Sequence, residues 1–201
     1  MLKLLNYRFF LRHSGLFYLF FSRLGYTPTM EHLEKEPLEQ LLQIVPNYPA
    51  VRLLHFCDGG EDLPSVLADF CAEKAYEYQI NALNEACFTA MQTRFETHAH
   101  VKTVKFSLER PRYMIQGKMF EYVFVTASVE PSIREAFLQR VHPTMKNGGN
   151  ILIFIPKGDH AQRFEWMRLL EENYFVATNT IDDLFEHYDL LISKKMHGWG
   201  G

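Results

Sequence analysis

The sequence predicts an α/β fold: a doubly wound sheet of seven strands, mostly parallel with the last strand antiparallel, behind a helical amino-terminal extension. Three observations lead there. Residues 51–67, VRLLHFCDGGEDLPSVL, read as a buried strand, a turn on Asp58-Gly59-Gly60 and the start of a helix. Apolar strand-length runs, such as Tyr122-Val123-Phe124-Val125, then alternate with helical patterns, the signature of parallel units covered on both faces. Finally, only about eight residues join the last two strands, too few for a right-handed crossover helix and suited to an antiparallel pair.

The 201 residues suit one α/β domain, 50–201, preceded by an extension, 1–49. Hydrophobic residues are 47% and charged residues 22%, the composition of a globular chain. A net charge of -3 argues against a nucleic-acid partner held by charge. Cys57, Cys71 and Cys87 form no CxxC pair and are odd in number, which predicts a reduced, cytoplasmic setting and no zinc. His98 and His100 are the closest histidine pair, lack a third ligand nearby and read as a solvated loop, so no metal site is predicted.

Residues 1–30 contain no Asp or Glu but carry Lys3, Arg8, Arg12 and Arg23 among five phenylalanines and three tyrosines. They predict one or two helices, broken near Ser14-Gly15. The charge-free run 14–22 is far short of the roughly 20 apolar residues of a membrane span, and no small-residue cleavage site follows it. Two readings stay open for residues 1–26. One is a membrane-surface contact or a lid over a pocket; the other is a helix packed on the main domain or on a second copy in a homodimer. Residues 27–49 are an acidic, proline-bounded connector. Thr29 caps a short helix with Glu31 in its first turn, and Pro37 opens a second helix over 38–45, with Leu38, Leu41, Leu42 and Val45 on one face.

The domain proper starts with a strand at 51–56. Pro64 fits the first turn of the next helix, which runs to about Lys74. A strand at 76–80 and a helix at 81–95 follow, with Leu83, Ala86, Cys87, Ala90 and Met91 inward. Strands come at 101–106 and 122–126, the latter apolar enough to be buried on both faces. A helix at 131–141, a turn at Asn147-Gly148-Gly149 and a strand at 150–155 come next. A helix at 161–173 and strands at 175–179 and 188–193 complete the sheet. Trp199 is expected against the sheet edge.

This order of elements resembles the class I S-adenosylmethionine-dependent methyltransferases, a Rossmann-like fold, over residues 50–195. The strand and turn at 53–63 stand where that family has its glycine-rich first motif. Phe120-Glu121-Tyr122-Val123-Phe124-Val125 resembles its fourth strand. Met145-Lys146-Asn147-Gly148-Gly149-Asn150-Ile151-Leu152 resembles its Gly-Gly fifth motif. Cys57-Asp58-Gly59-Gly60 is also similar to the turn of the spermidine synthases, the aminopropyltransferase branch of the fold.

The resemblance implies S-adenosylmethionine as cofactor and a small-molecule ligand site at Asp58, Gly59, Gly60, Asn81 and Thr126. Glycine there allows positive φ and close backbone approach, and the helix start offers free N–H groups. Asn81 would hold a ribose hydroxyl, or equally cap the helix beginning there. Glu61 and Asp62 read chiefly as first-turn acids, and Thr126 and Ser128 lie at the ligand-binding edge of an open sheet. The chain also departs from the family. His55 replaces an acid, Cys57 and Glu61 replace glycines, and Gln79 and Asn81 stand where an acid would take both ribose hydroxyls. An amide offers one oxygen where a carboxylate offers two. Thr126, Ala127 and Ser128 supply no acid to deprotonate an amine, which weighs against aminopropyl transfer. No catalytic side chain is assigned. The expectations are therefore a methyltransferase with an unidentified acceptor, a fold retained as a scaffold without cofactor, and, as a minor reading, an aminopropyltransferase.

Overall fold

The computed structural model describes residues 32–113 and 119–196. The expectations for residues 1–26, for Thr29 and Glu31, and for Trp199 lie outside the described residues. Helix α1 (Lys35–Leu41) continues as a 3-10 turn, Leu42–Ile44. It starts slightly earlier than the proline suggests, and it buries Leu38 and Leu41 as the spacing predicts. The alternating domain follows: β1 (Arg52–Cys57), α2 (Asp62–Lys74), β2 (Glu77–Ala82), α3 (Glu85–Phe95), β3 (Val101–Lys105) and β4 (Phe120–Val125). Next come α4 (Arg134–Val141), β5 (Met145–Pro156), α5 (His160–Glu172), β6 (Phe175–Ile181) and β7 (Tyr188–Lys195).

The seven strands lie in the order β3-β2-β1-β4-β5-β7-β6. The pairs β1–β2, β1–β4, β2–β3 and β4–β5 are parallel. β7 slots between β5 and β6 and runs antiparallel to both. The predicted fold class therefore holds, including the reversed last strand. Each sheet face has its own core. On one, Leu38, Leu67, Cys71 and Met91 of α1, α2 and α3 meet Leu53, Tyr78 and Ile80. On the other, Phe137, Leu138, Trp166 and Leu170 of α4 and α5 meet Leu54, Phe56, Val123 and Ile151. All six residues of β4 are buried, which explains why its sequence is a continuous apolar run apart from Glu121. That carboxylate accepts from Arg52 N at 2.7 Å and pairs with Lys146.

Several boundaries differ from expectation, two of them in regions near the site and its flanking strands. β2 runs on to Ala82, and α3 starts at Glu85 rather than Asn81. The cap is Asn84, whose side-chain oxygen accepts from Cys87 N at 2.8 Å. Cys87 and Met91 face the core as expected, with Phe95 beside them, while Ala86 and Ala90 are exposed. The Asn147-Gly148-Gly149 turn lies inside the first part of β5 as an irregularity. Phe120 pairs with Met145, but Tyr122 already pairs with Asn150. Gly148 has φ +76°, and a Cβ on Gly149 would stand 2.9 Å from the carbonyl oxygens of Glu121 and Lys146. Glycine is required at the first for its dihedral and at the second because backbone approaches it.

Gly149→Ala is expected to lower stability by about 1–3 kcal/mol, since the contacts are backbone and cannot swing aside. Gly148→Ala, with open space around it, is expected to cost less. Urea unfolding midpoints of the two variants check this order.

Candidate functional site

The candidate site is built where β1 ends between β2 and β4, the point at which strand order reverses and open α/β sheets bind ligands. After Cys57 the chain turns through Asp58, Gly59 and Gly60, the last at φ +79°, and enters α2. Asp58 staples this turn to its neighbours. Its Oδ2 accepts from Ser128 N at 2.9 Å, and its carbonyl accepts from Asn84 Nδ2 at 2.7 Å. Burial pushes the Asp58 carboxyl above its usual range, and the Ser128 N–H partly offsets that shift.

Thr126 follows β4. Its backbone N–H and that of Ala127 both donate to Phe56 O at 3.1 Å. Its Oγ1 lies 2.7 Å from Nε2 of His55, whose Nδ1 is 2.9 Å from the Tyr78 hydroxyl. His55 is 0% exposed, and burial lowers its pKa to about 3, so the ring is neutral. One proton assignment gives every polar hydrogen an acceptor. The phenol donates to Nδ1, Nε2–H donates to Thr126, and the Thr126 hydroxyl donates to Phe56 O at 3.4 Å.

Asn81 pairs in register with Phe56 of β1. It therefore turns to the opposite face of the sheet from His55 and Cys57. It is 1% exposed, and its Oδ1 accepts from Gln79 Nε2 at 2.8 Å. One hydrogen bond thus joins the two amides at the expected ribose edge. The capping role considered for Asn81 is overturned, because β2 holds its backbone extended and Asn84 caps α3.

The structure also adds a residue that the sequence reading missed. Leu33, from the segment ahead of α1, is 2% exposed and lines a space of about 10 Å³ with Gly59, Gly60, Asp62, Leu63, Pro64 and Thr126. That is about the lower limit for one water molecule. Asp62 Oδ2 holds this strap in place, accepting from Leu33 N at 3.0 Å and meeting His32 Nδ1 at 2.8 Å. Glu61 points elsewhere, to Arg94 at 2.5 Å. A lone leucine in the acidic stretch EHLEKE was the available signal.

Asp58, Gly59, Gly60 and Thr126 are therefore neighbours in one crevice, while Asn81 stands beside it on the other face. The turn, with its positive-φ glycine and the start of α2, fits the adenosine-bearing cofactor that the resemblance implies. The ribose edge fits it less well, having no carboxylate and a committed amide oxygen, and Leu33 takes up the space. His98 and His100 are half-buried rather than solvated, and the His98 ring lies edge-on to Phe95 at 5.4 Å. Among the described residues, no group of three His, Cys, Asp or Glu side chains gathers as a metal site. No described helix is long and apolar enough to cross a membrane.

No family model matches the sequence, and no curated protein matches it. Solved structures do match in fold. A TehB-like SAM-dependent methyltransferase from Corynebacterium glutamicum aligns with TM-score 0.59 at 11% identity, over 92% of this chain and 96% of its own. A 1,6-didemethyltoxoflavin-N1-methyltransferase from Burkholderia thailandensis, solved with S-adenosylhomocysteine bound, aligns with TM-score 0.57 at 16% identity, over 81% and 78%. The CurJ carbon methyltransferase aligns with TM-score 0.61 at 13% identity over 81% of this chain, which spans about half (53%) of that protein. The fold is that of the class I S-adenosylmethionine-dependent methyltransferases.

The buried imidazole makes a pH-dependent contribution with a definite sign. Above pH 6.5 it is neutral in both folded and unfolded chains. Between 6.5 and about 3 only the unfolded chain takes up the proton, so stability falls as pH falls through that window. The full shift corresponds to up to about 5 kcal/mol. A His55→Gln variant, which cannot titrate, is expected to lose less stability than the parent between pH 7 and pH 4 in urea unfolding. Equal losses would show that the ring is not neutral in the fold.

Proposed function

We propose that this chain is an S-adenosylmethionine-dependent methyltransferase acting on an unidentified acceptor, with the cofactor seated at the Asp58-Gly59-Gly60 turn. The observation that carries the reading is that turn: a glycine at φ +79° just after the interior strand β1, feeding the start of α2. The fold shared with known methyltransferases supports it. When bound, the cofactor supplies a methyl group on a positively charged sulfur. In this reading the turn amides and the α2 start hold its polar end, Thr126 borders it from β4, and the Leu33 strap swings out to admit it. Methyl transfer depends mainly on alignment of donor and acceptor, so a site without an assigned general base is compatible with it.

A second reading is favoured by the internal pairing of Gln79 with Asn81 and by Leu33 against the glycines. In it the fold is a scaffold that has lost the cofactor, and its contact is made by residues 1–26 with a second copy or a membrane surface. Aminopropyl transfer remains the minor reading, since no carboxylate follows β4 within Thr126-Ala127-Ser128.

Calorimetry with S-adenosylmethionine and S-adenosylhomocysteine separates the two main readings. Asn81→Asp restores a two-oxygen acceptor and is expected to tighten binding about tenfold, or ~1.4 kcal/mol, while the buried carboxylate lowers the stability of the fold. Leu33→Ala is expected to tighten binding while lowering stability by about 2–5 kcal/mol, the cost of a buried leucine truncation. No heat at millimolar ligand from the parent and from both folded variants would reject the methyltransferase reading. Liposome flotation and light scattering of the full chain would then test the contact through residues 1–26.

A further inference from the structure

Directly beneath the candidate site lie two thiols that the proposed transfer does not use. Cys57 is the last residue of β1, and Cys87 lies in the first turn of α3. Their sulfurs are 3.4 Å apart, and both side chains are buried and unbridged. We propose that Cys57 and Cys87 form a reversible disulfide when the protein meets a small peroxide, making this pair a redox modification site.

The geometry asks for little movement. Bringing the sulfurs to bonding distance closes the gap by roughly 1.4 Å. The elements that carry them are already pinned together. Asn84 caps Cys87 N at 2.8 Å and holds Asp58 O at 2.7 Å, so one side chain fixes the α3 start to the residue after Cys57. The two thiols are also unlike one another. Either sulfur can donate in the contact, and Cys87 Sγ also donates to Cys57 O at 3.8 Å. The contact with Cys57 lowers the Cys87 pKa, while burial and the nearby Asp58 carboxylate raise it. Cys57 is pushed up by its contact with Cys87 and by burial. The third thiol, Cys71 in α2, is pushed up to about 12 by burial. Cys87 is 4% exposed and Cys57 0%, so Cys87 is the sulfur nearer solvent and the attacking one, and Cys57 the resolving one.

The chemistry balances with peroxide as the named oxidant. The Cys87 thiolate attacks one peroxide oxygen and breaks the O–O bond, giving a sulfenic acid and a hydroxide that is protonated to water. Cys57 sulfur then attacks the Cys87 sulfur, the S–S bond forms, and the sulfenic oxygen leaves with the Cys57 proton as a second water. Two electrons pass from the thiol pair to the peroxide, and a dithiol reductant returns them by exchange. The bridge would lock the floor of the Asp58 turn whether or not the crevice above binds a methyl donor.

The test uses the full folded chain. It is treated with hydrogen peroxide, unfolded in guanidinium with N-ethylmaleimide, and digested without reduction by trypsin and an Asp-specific protease, which separates Cys57 from Cys71. The expected result is one linked species joining the Cys57 and Cys87 peptides, with Cys71 alkylated. Two of the three thiols are lost, and both return with dithiothreitol. Cys71→Ser should keep the link, and a folded Cys87→Ala should leave Cys57 alkylated. Three alkylated thiols after treatment would mean the pair is only core packing. A link through Cys71, or sulfinic acid at Cys87 without a link, would equally overturn the proposal.

Discussion

The interaction on which the site depends is the insertion of a neutral imidazole into the sheet. His55 stands in the interior strand β1 with no exposure, and each ring nitrogen meets a hydroxyl from a neighbouring segment: Tyr78 of β2 and Thr126 after β4. A buried polar ring is tolerated only when both nitrogens are satisfied, and here the satisfaction spans three strands. The same bonds fix where β4 stops relative to β1, because Thr126 is held by the imidazole and by Phe56 O at once. The relative height of the two loops that border the crevice follows from that registration. Asp58 then completes it by accepting from Ser128 N one step further along.

These clips explain how the crevice closes. Asp58 is bound to the fourth-strand loop and, through its carbonyl, to the cap of α3. The helix that starts after the turn uses its first acid, Asp62, to hold the strap carrying Leu33. The anchor and the plug are thus adjacent parts of one short segment. Among the described residues, two hydrogen bonds to Asp62 and the burial of one leucine hold the strap around Leu33.

Parts of this were legible in the sequence because they rest on local chemistry. The runs of β4 and of the later part of β5 are continuous and apolar since both faces are covered, and the short link between β6 and β7 leaves no topology but an antiparallel one. Other parts rest on tertiary geometry. Asn81 and Asn84 are equally good caps in isolation; only the length of β2 decides between them. Gly148-Gly149 announces a change of direction, yet whether it ends a strand or kinks one depends on the carbonyls of Phe120 and Glu121 approaching Gly149. His55 reads as a departure from an acidic motif. Its role depends on partners 23 and 71 residues away. Leu33 stands out only as the lone leucine of its acidic stretch; its seat depends on Asp62, 29 residues away.

The amide and imidazole substitutions and the closed crevice follow from one constraint. An ion placed in the low-dielectric floor of a packed crevice costs several kcal/mol unless a counter-charge or water meets it. A carboxylate at position 55 would sit fully buried between two hydroxyls, and one at position 81 would sit beside the Gln79 amide with almost no exposure. A neutral imidazole and a pair of amides avoid that cost, so they suit a crevice that is packed by its own strap. Asp58 is the exception that fits the rule. It remains half-exposed and keeps a backbone N–H on its carboxylate, yet burial still raises its pKa. Among the five site residues it alone is ionisable, so any positive charge brought into the crevice would act there first.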